Sequence, residues 1–100
     1  MAKAKKLVRD RIPENIIAQG EQPVFYAAND AEYWERLKEK LSEEVLEFQK
    51  AENPEELADI LEVIDAIIEF KNFDKSELDE IKQKKMEAKG GFKKRIILEI

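Results

Sequence analysis

Two pairs of carboxylates have the spacing expected of a cation site. Glu44 and Glu47 lie three residues apart in LSEEVLEF, and Glu56 and Asp59 lie three residues apart in PEELADIL. Residues three apart share one face of a helix, so each pair can direct two carboxylates toward the same point. Carboxylate oxygens are the ligands that Mg²⁺ and Mn²⁺ prefer. The four acids therefore predict a site for Mg²⁺, with Mn²⁺ as the alternative ion.

The composition restricts what other chemistry the chain can perform. None of its 100 residues is Cys or His. This excludes thiolate nucleophiles, disulfides, imidazole bases and imidazole metal ligands. Any metal must therefore be bound through oxygen, and a carboxylate must serve if the reaction uses a side-chain base.

Length and charge indicate the kind of protein and the partners it can have. One hundred residues predict one domain, residues 1–100, that forms a homo-oligomer, a dimer or a tetramer, in which another copy can complete a pocket. The net charge of −5 argues against nucleic-acid polymers and anionic membranes as partners. No apolar run approaches ~18 residues and no signal peptide is recognisable, so we expect a cytoplasmic protein.

Helix start and stop signals recur along the chain and predict a mainly α fold. Caps of Asn or Asp, Pro in a first turn and Gly after a last turn mark the ends. The predicted helices are a short one between Pro13 and Gly20, a long one capped by Asp30 that ends near Ala51, one capped by Asn53 that ends near Lys71, and one that starts at Asp74, with Glu77 in a capping box, and ends before Gly90.

Two other segments have the composition of strands. Segment 23–28 reads PVFYAA and segment 95–99 reads RIILE, both rich in β-branched, aromatic or aliphatic residues. A lone strand would leave its backbone groups unpaired. We therefore expect the two segments to form a small two-stranded sheet beside the helices.

Helical projection at about 100° per residue indicates which acids face inward. Glu44 falls within the apolar face of the long helix, whereas Glu47 lies just beyond its edge. Glu56 falls within the apolar face of the next helix, and Asp59 lies on its border. Buried carboxylates need cations or strong hydrogen bonds, which a metal would supply. A chain with 23 acidic residues can also produce such pairs by chance as solvated faces.

Basic and aromatic residues supply further candidate contacts. Arg9 can bind phosphate, although an Arg–Asp pair that anchors the amino-terminal segment is an equally good interpretation. Lys85, with Lys89 near it, can hold phosphate or can simply cover apolar surface with its stem. Tyr33 and Trp34 can stack on a base, but their helical spacing is more typical of core residues.

Three segments in order resemble a known enzyme family. The pairs Glu44-Val45-Leu46-Glu47 and Glu56-Leu57-Ala58-Asp59 are similar to the ExxE and ExxD motifs of MazG-like, all-α nucleoside triphosphate pyrophosphohydrolases. KLVRDRIPENI, NPEELADILEVIDAI and KKMEAKGGFKKRIIL look closer to the short, phosphoribosyl-ATP pyrophosphohydrolase-like branch. The likeness spans nearly the whole chain. Only eight residues separate Glu47 from Glu56, fewer than is usual in the superfamily, which weakens any transfer of substrate preference.

The resemblance implies a helical bundle and a phosphate chemistry. It implies Mg²⁺-dependent hydrolysis of a nucleoside triphosphate, or a related nucleotide, to the monophosphate and pyrophosphate, as in nucleotide-pool house-cleaning. Glu44, Glu47, Glu56 and Asp59 would bind the metal. Glu47 is the first candidate base because it lies at the border of the apolar face, with Glu44 as the second catalytic residue, and base and ligand roles can be exchanged among Glu44, Glu47 and Glu56. The resemblance also suggests that the Gly90-Gly91 turn brings Lys93, Lys94 or Arg95 near substrate, with Lys93 as the first candidate. The alternatives are phosphoribosyl-ATP hydrolysis in histidine biosynthesis and a non-catalytic helical interaction module.

Overall fold

Four helices account for most of the chain. The computed structural model describes residues 4–100, in which α1 spans Ile12–Ala18, α2 Asp30–Ala51, α3 Pro54–Lys71 and α4 Lys75–Lys89. The mainly α class predicted from the sequence is confirmed. None of the helices in this part of the chain is long and apolar enough to cross a membrane.

The chain separates into two compact units. Of the described residues, 4–67 form the first unit, with α1, α2 and most of α3, and 68–100 form the second, with the end of α3 and all of α4. All four predicted carboxylate ligands belong to the first unit. Lys85, Lys89 and Lys93 belong to the second. The assignment of residues 1–100 to one domain stays a prediction.

The start of α2 is fixed by a side-chain cap. Asn29 has an extended backbone, and its Oδ1 accepts a hydrogen bond of 2.9 Å from the backbone N–H of Glu32. Asp30 is the first helical residue, so the prediction that Asp30 is the cap was wrong by one position. Its carboxylate lies in the first turn, where its negative charge interacts favourably with the positive end of the helix dipole.

A connection of only two residues joins α2 to α3. Glu52 adopts a left-handed conformation, with φ of 53°, and its N–H donates to the carbonyl oxygen of Phe48 over 2.8 Å. Asn53 Oδ1 then accepts a 3.0 Å hydrogen bond from the N–H of Glu56. Asn53 is therefore the cap that the sequence predicted. The tight turn holds the end of α2 and the start of α3 next to each other.

The remaining helix ends follow the predicted signals with one change. Pro13 lies in the first turn of α1, and Gly20 follows its end with φ of 89°, a conformation that favours glycine. Asp74 caps α4 through a 2.8 Å hydrogen bond from the N–H of Ser76 rather than from Glu77, the partner in the predicted capping box. The helix ends before Gly90, as predicted.

The apolar faces are buried to different extents. Leu37 on α2 and Val63 on α3 are the buried hydrophobic residues of the described chain, at 1% and 8% exposure. The other apolar residues that helical projection places on the same face of α2 are half-buried, which confirms that face: Tyr33, Trp34, Leu41, Val45 and Phe48. On α3 the apolar face predicted by helical projection divides, with Ile60, Ile67 and Ile68 half-buried and three residues exposed. These three are Leu57, Leu61 and Ile64.

The predicted two-stranded sheet is not formed. Segments 23–28 and 95–99 are non-helical, and no strand is present between residues 4 and 100. The large apolar side chains of both segments are exposed, Val24 to 94% and Ile97 to 89%. Strand composition alone does not produce a sheet, because a strand also needs a neighbour that pairs its backbone and covers one face.

Candidate metal site

Three carboxylates converge beside the turn between α2 and α3. Glu44, Glu56 and Asp59 each offer an oxygen, and these oxygens all lie within 4.8 Å of one another. Glu44 is only 8% exposed, and the other two are half-buried. Oxygens bound to one Mg²⁺ lie at most about 4.2 Å apart, twice the usual metal–oxygen distance. Small side-chain rotations would bring the three oxygens within that limit, so the donor set fits a hard divalent cation.

Glu47, the fourth predicted ligand, lies outside this group. Its side chain is exposed on α2, in agreement with its predicted position beyond the edge of the apolar face. Its charge nevertheless reaches the cluster, because it is one of the groups that raise the pKa of Glu56. Glu47 is therefore placed to contact water near the three convergent acids without being enclosed by them.

The electrostatics of the cluster are those of a site short of positive charge. Partial burial raises the pKa of Glu56 above its usual value, and the neighbouring charges of Asp59, Glu47 and Glu44 raise it further, in that order. Each of these effects disfavours the ionised carboxylate. A cation bound among the oxygens would reverse the sign of the local potential and favour ionisation.

Two basic side chains already contact the cluster. Lys40 Nζ lies 3.1 Å from Glu44 Oε1, and the lysine side chain is only 17% exposed. Arg9 Nη2 donates a 2.7 Å hydrogen bond to Asp59 Oδ1. Sequence reasoning did not identify Lys40, although its position four residues before Glu44 on one helix was a usable signal. No sequence spacing indicated that Arg9 would pair with Asp59, because the two residues are 50 positions apart.

The amino-terminal segment carries Arg9 to the cluster. Arg36 on α2 donates to the carbonyl oxygen of Lys5 over 3.2 Å, and Lys6 Nζ lies 3.5 Å from Glu43 Oε1. The carbonyl oxygen of Arg9 itself accepts from the N–H of Ile12 at the start of α1. Contacts with α2, α3 and α1 thus fix residues 5–12 along the first unit. The sequence suggested an anchoring Arg–Asp pair next to Asp10, whereas the aspartate that Arg9 contacts is Asp59 on α3.

The other predicted contacts are three lysines of the second unit and two aromatic residues of α2. Lys85 and Lys89 are exposed on α4, and Lys93 is exposed in the turn after Gly90. These three remain predicted substrate contacts. On α2, Tyr33 and Trp34 are half-buried, which matches the interpretation of both as core residues.

Comparison with known proteins gives one partial match. No protein-family model and no solved structure matches the chain. Over 47 residues the chain is 53% identical to a protein from Mycolicibacterium smegmatis that is named only as uncharacterized. The match covers 47% of this chain and 48% of the relative, so the chain spans about half the length of the protein it matches.

Proposed function

We propose that this protein is a Mg²⁺-dependent pyrophosphohydrolase that converts a nucleoside triphosphate, or a related nucleotide, to the monophosphate and pyrophosphate. The observation that carries the proposal is the convergence of Glu44, Glu56 and Asp59 within 4.8 Å. The resemblance to MazG-like pyrophosphohydrolases in the order of three sequence segments adds the phosphate chemistry. A role in removing unwanted nucleotides from the cellular pool belongs to the same proposal.

The three convergent acids are the proposed metal ligands. Glu44 supplies the most enclosed oxygen from α2, while Glu56 and Asp59 supply oxygens from successive turns of α3. A bound Mg²⁺ would supply Lewis-acid chemistry, polarising phosphate oxygens and offsetting the charge that develops on them. The hydrogen bond from Glu56 N–H to Asn53 Oδ1 fixes the helix turn from which this ligand projects.

Glu47 is the proposed general base. Its exposed carboxylate lies beside the cluster, where it can accept a proton from a water molecule. The water oxygen forms a bond to the α-phosphorus, and the bond from that phosphorus to the bridging oxygen breaks. Pyrophosphate leaves with the bridging oxygen, and the monophosphate keeps the oxygen from water. Glu44 or Glu56 would be the base if Glu47 were a ligand instead.

Positive side chains are the proposed contacts for substrate phosphates. Arg9 contacts Asp59, but its side chain is 58% exposed, so its guanidinium is also accessible to a ligand. Guanidinium groups bind phosphate through two parallel hydrogen bonds. Lys85, Lys89 and Lys93 are further candidate phosphate contacts, and each is exposed to solvent. The alternative substrate, phosphoribosyl-ATP, would use the same phosphate contacts and a different base and ribose pocket.

The ion pairs give the non-catalytic alternative its own support. Glu44 is paired with Lys40 and Asp59 with Arg9, so two of the three acids have cationic partners within the fold. A helical interaction module whose inward acids are neutralised by basic residues would look the same in these respects. The two interpretations differ over Glu56, which has no such ion pair among the described residues and whose pKa is raised by partial burial and by the charges of Asp59, Glu47 and Glu44.

Self-association is part of the proposed function. Leu57, Leu61 and Ile64 are exposed and follow one another by four and three residues, the spacing of a coiled-coil seam. A second copy would present the same stripe and could cover it. Light scattering should give the mass of a dimer or tetramer, and a mass of one chain would contradict this part of the proposal.

A nucleotide panel tests the central proposal. Purified protein is incubated with canonical nucleoside triphosphates, modified nucleotides and phosphoribosyl-ATP, with and without Mg²⁺, and pyrophosphate release is measured. We expect release from at least one nucleotide, only with the cation, and its loss in Glu56→Gln. The matched control is Glu62→Gln, which removes an exposed carboxylate from the same helix. A folded protein that releases no pyrophosphate and binds no divalent cation would refute the enzyme and favour the interaction module.

A further inference from the structure

We infer that Arg9 and a divalent cation compete for Asp59, so that cation binding releases the Arg9 guanidinium for the substrate phosphates. This inference rests on the proposed function and describes how that site changes when it is loaded. It starts from a contact in the structure, the 2.7 Å hydrogen bond from Arg9 Nη2 to Asp59 Oδ1.

The charges around the cluster favour such an exchange. Glu44, Glu56 and Asp59 carry three negative charges when ionised, and Lys40 and Arg9 bring two positive charges against them. One divalent cation brings the same two charges to a point closer to all three carboxylates. Once it is bound, a guanidinium at hydrogen-bond distance from Asp59 faces a less negative site and is held less strongly.

Arg9 and Lys40 differ in how easily they can leave. Lys40 is 17% exposed and also lies 3.6 Å from Glu43 Oε2, so it keeps a carboxylate partner if Glu44 turns toward a cation. Arg9 is 58% exposed, and within residues 4–100 its recorded ion pair is with Asp59. An exposed pair contributes little to stability because water competes for both groups. Arg9 is therefore the cation that metal binding can displace at small cost.

Displacement of Arg9 would couple cation binding to phosphate binding. Before the cation binds, the guanidinium is occupied by Asp59 and phosphate must compete with a carboxylate. After the cation binds, the same guanidinium lies beside a positive centre, at the end of a segment fixed by the contacts of Lys5 and Lys6. Arg9 is thus a substrate-binding residue of the loaded site, and a nucleotide should bind to the cation-loaded protein better than to the bare protein.

The first test measures Mn²⁺ binding without nucleotide. Calorimetry is done with wild type, Arg9→Gln and Arg11→Gln at one ionic strength. Arg11 is an exposed arginine two residues away, so its variant removes the same charge without removing the pair with Asp59. We expect Arg9→Gln to bind Mn²⁺ about threefold more tightly than Arg11→Gln, as loss of a competing exposed ion pair implies. A purely structural role would weaken binding instead.

The second test observes the side chain itself in the unmodified protein. Arginine side-chain N–H resonances are followed by NMR during a titration with diamagnetic Mg²⁺. We expect the Arg9 signal to move and to exchange faster with water at saturation, while the Arg11 signal stays in place. An unmoved Arg9 signal, or equal Mn²⁺ affinity in the two variants, would overturn the competition but leave the metal site standing. Wild-type protein that binds no Mn²⁺ would overturn the metal site and this inference together.

Discussion

Two charged regions of the molecule were predicted to contact a metal or substrate phosphates, and they differ in how far the fold buries and contacts their side chains. The carboxylate cluster of Glu44, Glu56 and Asp59 is held by a capped two-residue turn and contacted by two basic side chains. The lysine-rich segment, residues 82–94, is exposed along its whole length. Acids that converge must be placed by the fold, whereas dispersed lysines can stay in water at little cost. The cluster is therefore the region whose geometry can be tested most sharply.

The largest expected effect separates the two regions by activity. Glu44→Gln should lower Mg²⁺-dependent pyrophosphate release at least about 100-fold, because a metal ligand supports several kcal/mol of transition-state stabilisation. Lys89→Gln should change kcat/KM by no more than about fivefold, the effect of one exposed charge, and high salt should reduce even that difference. Steady-state kinetics on the nucleotide that the panel identifies measures both.

Equal losses in the two variants would break this contrast. They would mean that the lysine-rich segment contacts the reacting phosphates as closely as the carboxylates do. Circular dichroism of each variant provides the control for folding. Glu62→Gln, which removes an exposed acid from α3, should retain the wild-type rate.

The next largest effect concerns the free energy of unfolding, to which the caps of α3 and α4 both contribute. Asn53→Ala removes the acceptor for the Glu56 N–H, and Asp74→Ala removes the acceptor for the Ser76 N–H. Each substitution should lower the free energy of unfolding by about 1 kcal/mol, the usual contribution of a cap. Urea denaturation measures this loss.

Only the first of these two substitutions should also affect the site. Asn53 fixes the turn that carries Glu56, so Asn53→Ala should weaken Mn²⁺ binding in calorimetry, while Asp74→Ala should leave it unchanged. If both substitutions weakened Mn²⁺ binding in proportion to the free energy of unfolding that each removes, the site would depend on the overall stability of the protein and not on the α2–α3 turn.

Local signals were sufficient for the part of the fold that holds the cluster. Asn53, Pro54 and the apolar period of α2 predicted a tight helical hairpin with Glu44 facing inward, and the structure has both. Caps and periodicity act within a few residues, so a single sequence contains them. The error of one position at Asp30 has the same origin, because Asn29 and Asp30 are both good caps and only backbone geometry distinguishes them.

Contacts between distant residues could not be predicted in this way. The pair of Arg9 with Asp59 depends on where the amino-terminal segment runs, which no spacing encodes. The predicted pairing of segments 23–28 and 95–99 was wrong because it too depends on a contact between distant residues. Their composition indicated strands, but a strand pair needs two segments brought side by side, and composition does not specify that.

The smallest effect concerns the charge of Glu56 in the metal-free protein. Its pKa is raised in the fold by partial burial and by Asp59, Glu47 and Glu44, so the folded state binds this proton more tightly than the unfolded chain does. The resulting destabilisation is absent below the pKa of the unfolded carboxyl and is complete above the raised folded value. In chelator at pH 7, Glu56→Gln should therefore melt above wild type, and this gain should vanish in acid.

Added Mg²⁺ should reverse that order. The cation offsets the charges around Glu56 and binds wild type better than Glu56→Gln, so wild type gains more thermal stability at pH 7. Thermal melts at pH 4 and pH 7, with chelator or Mg²⁺, measure all four conditions. Glu62→Gln, whose carboxylate is not among the charges that act on Glu56, should show no such dependence. A Glu56→Gln protein that is less stable than wild type in chelator at pH 7 would mean that Lys40 and Arg9 already neutralise the cluster, as the non-catalytic interpretation requires.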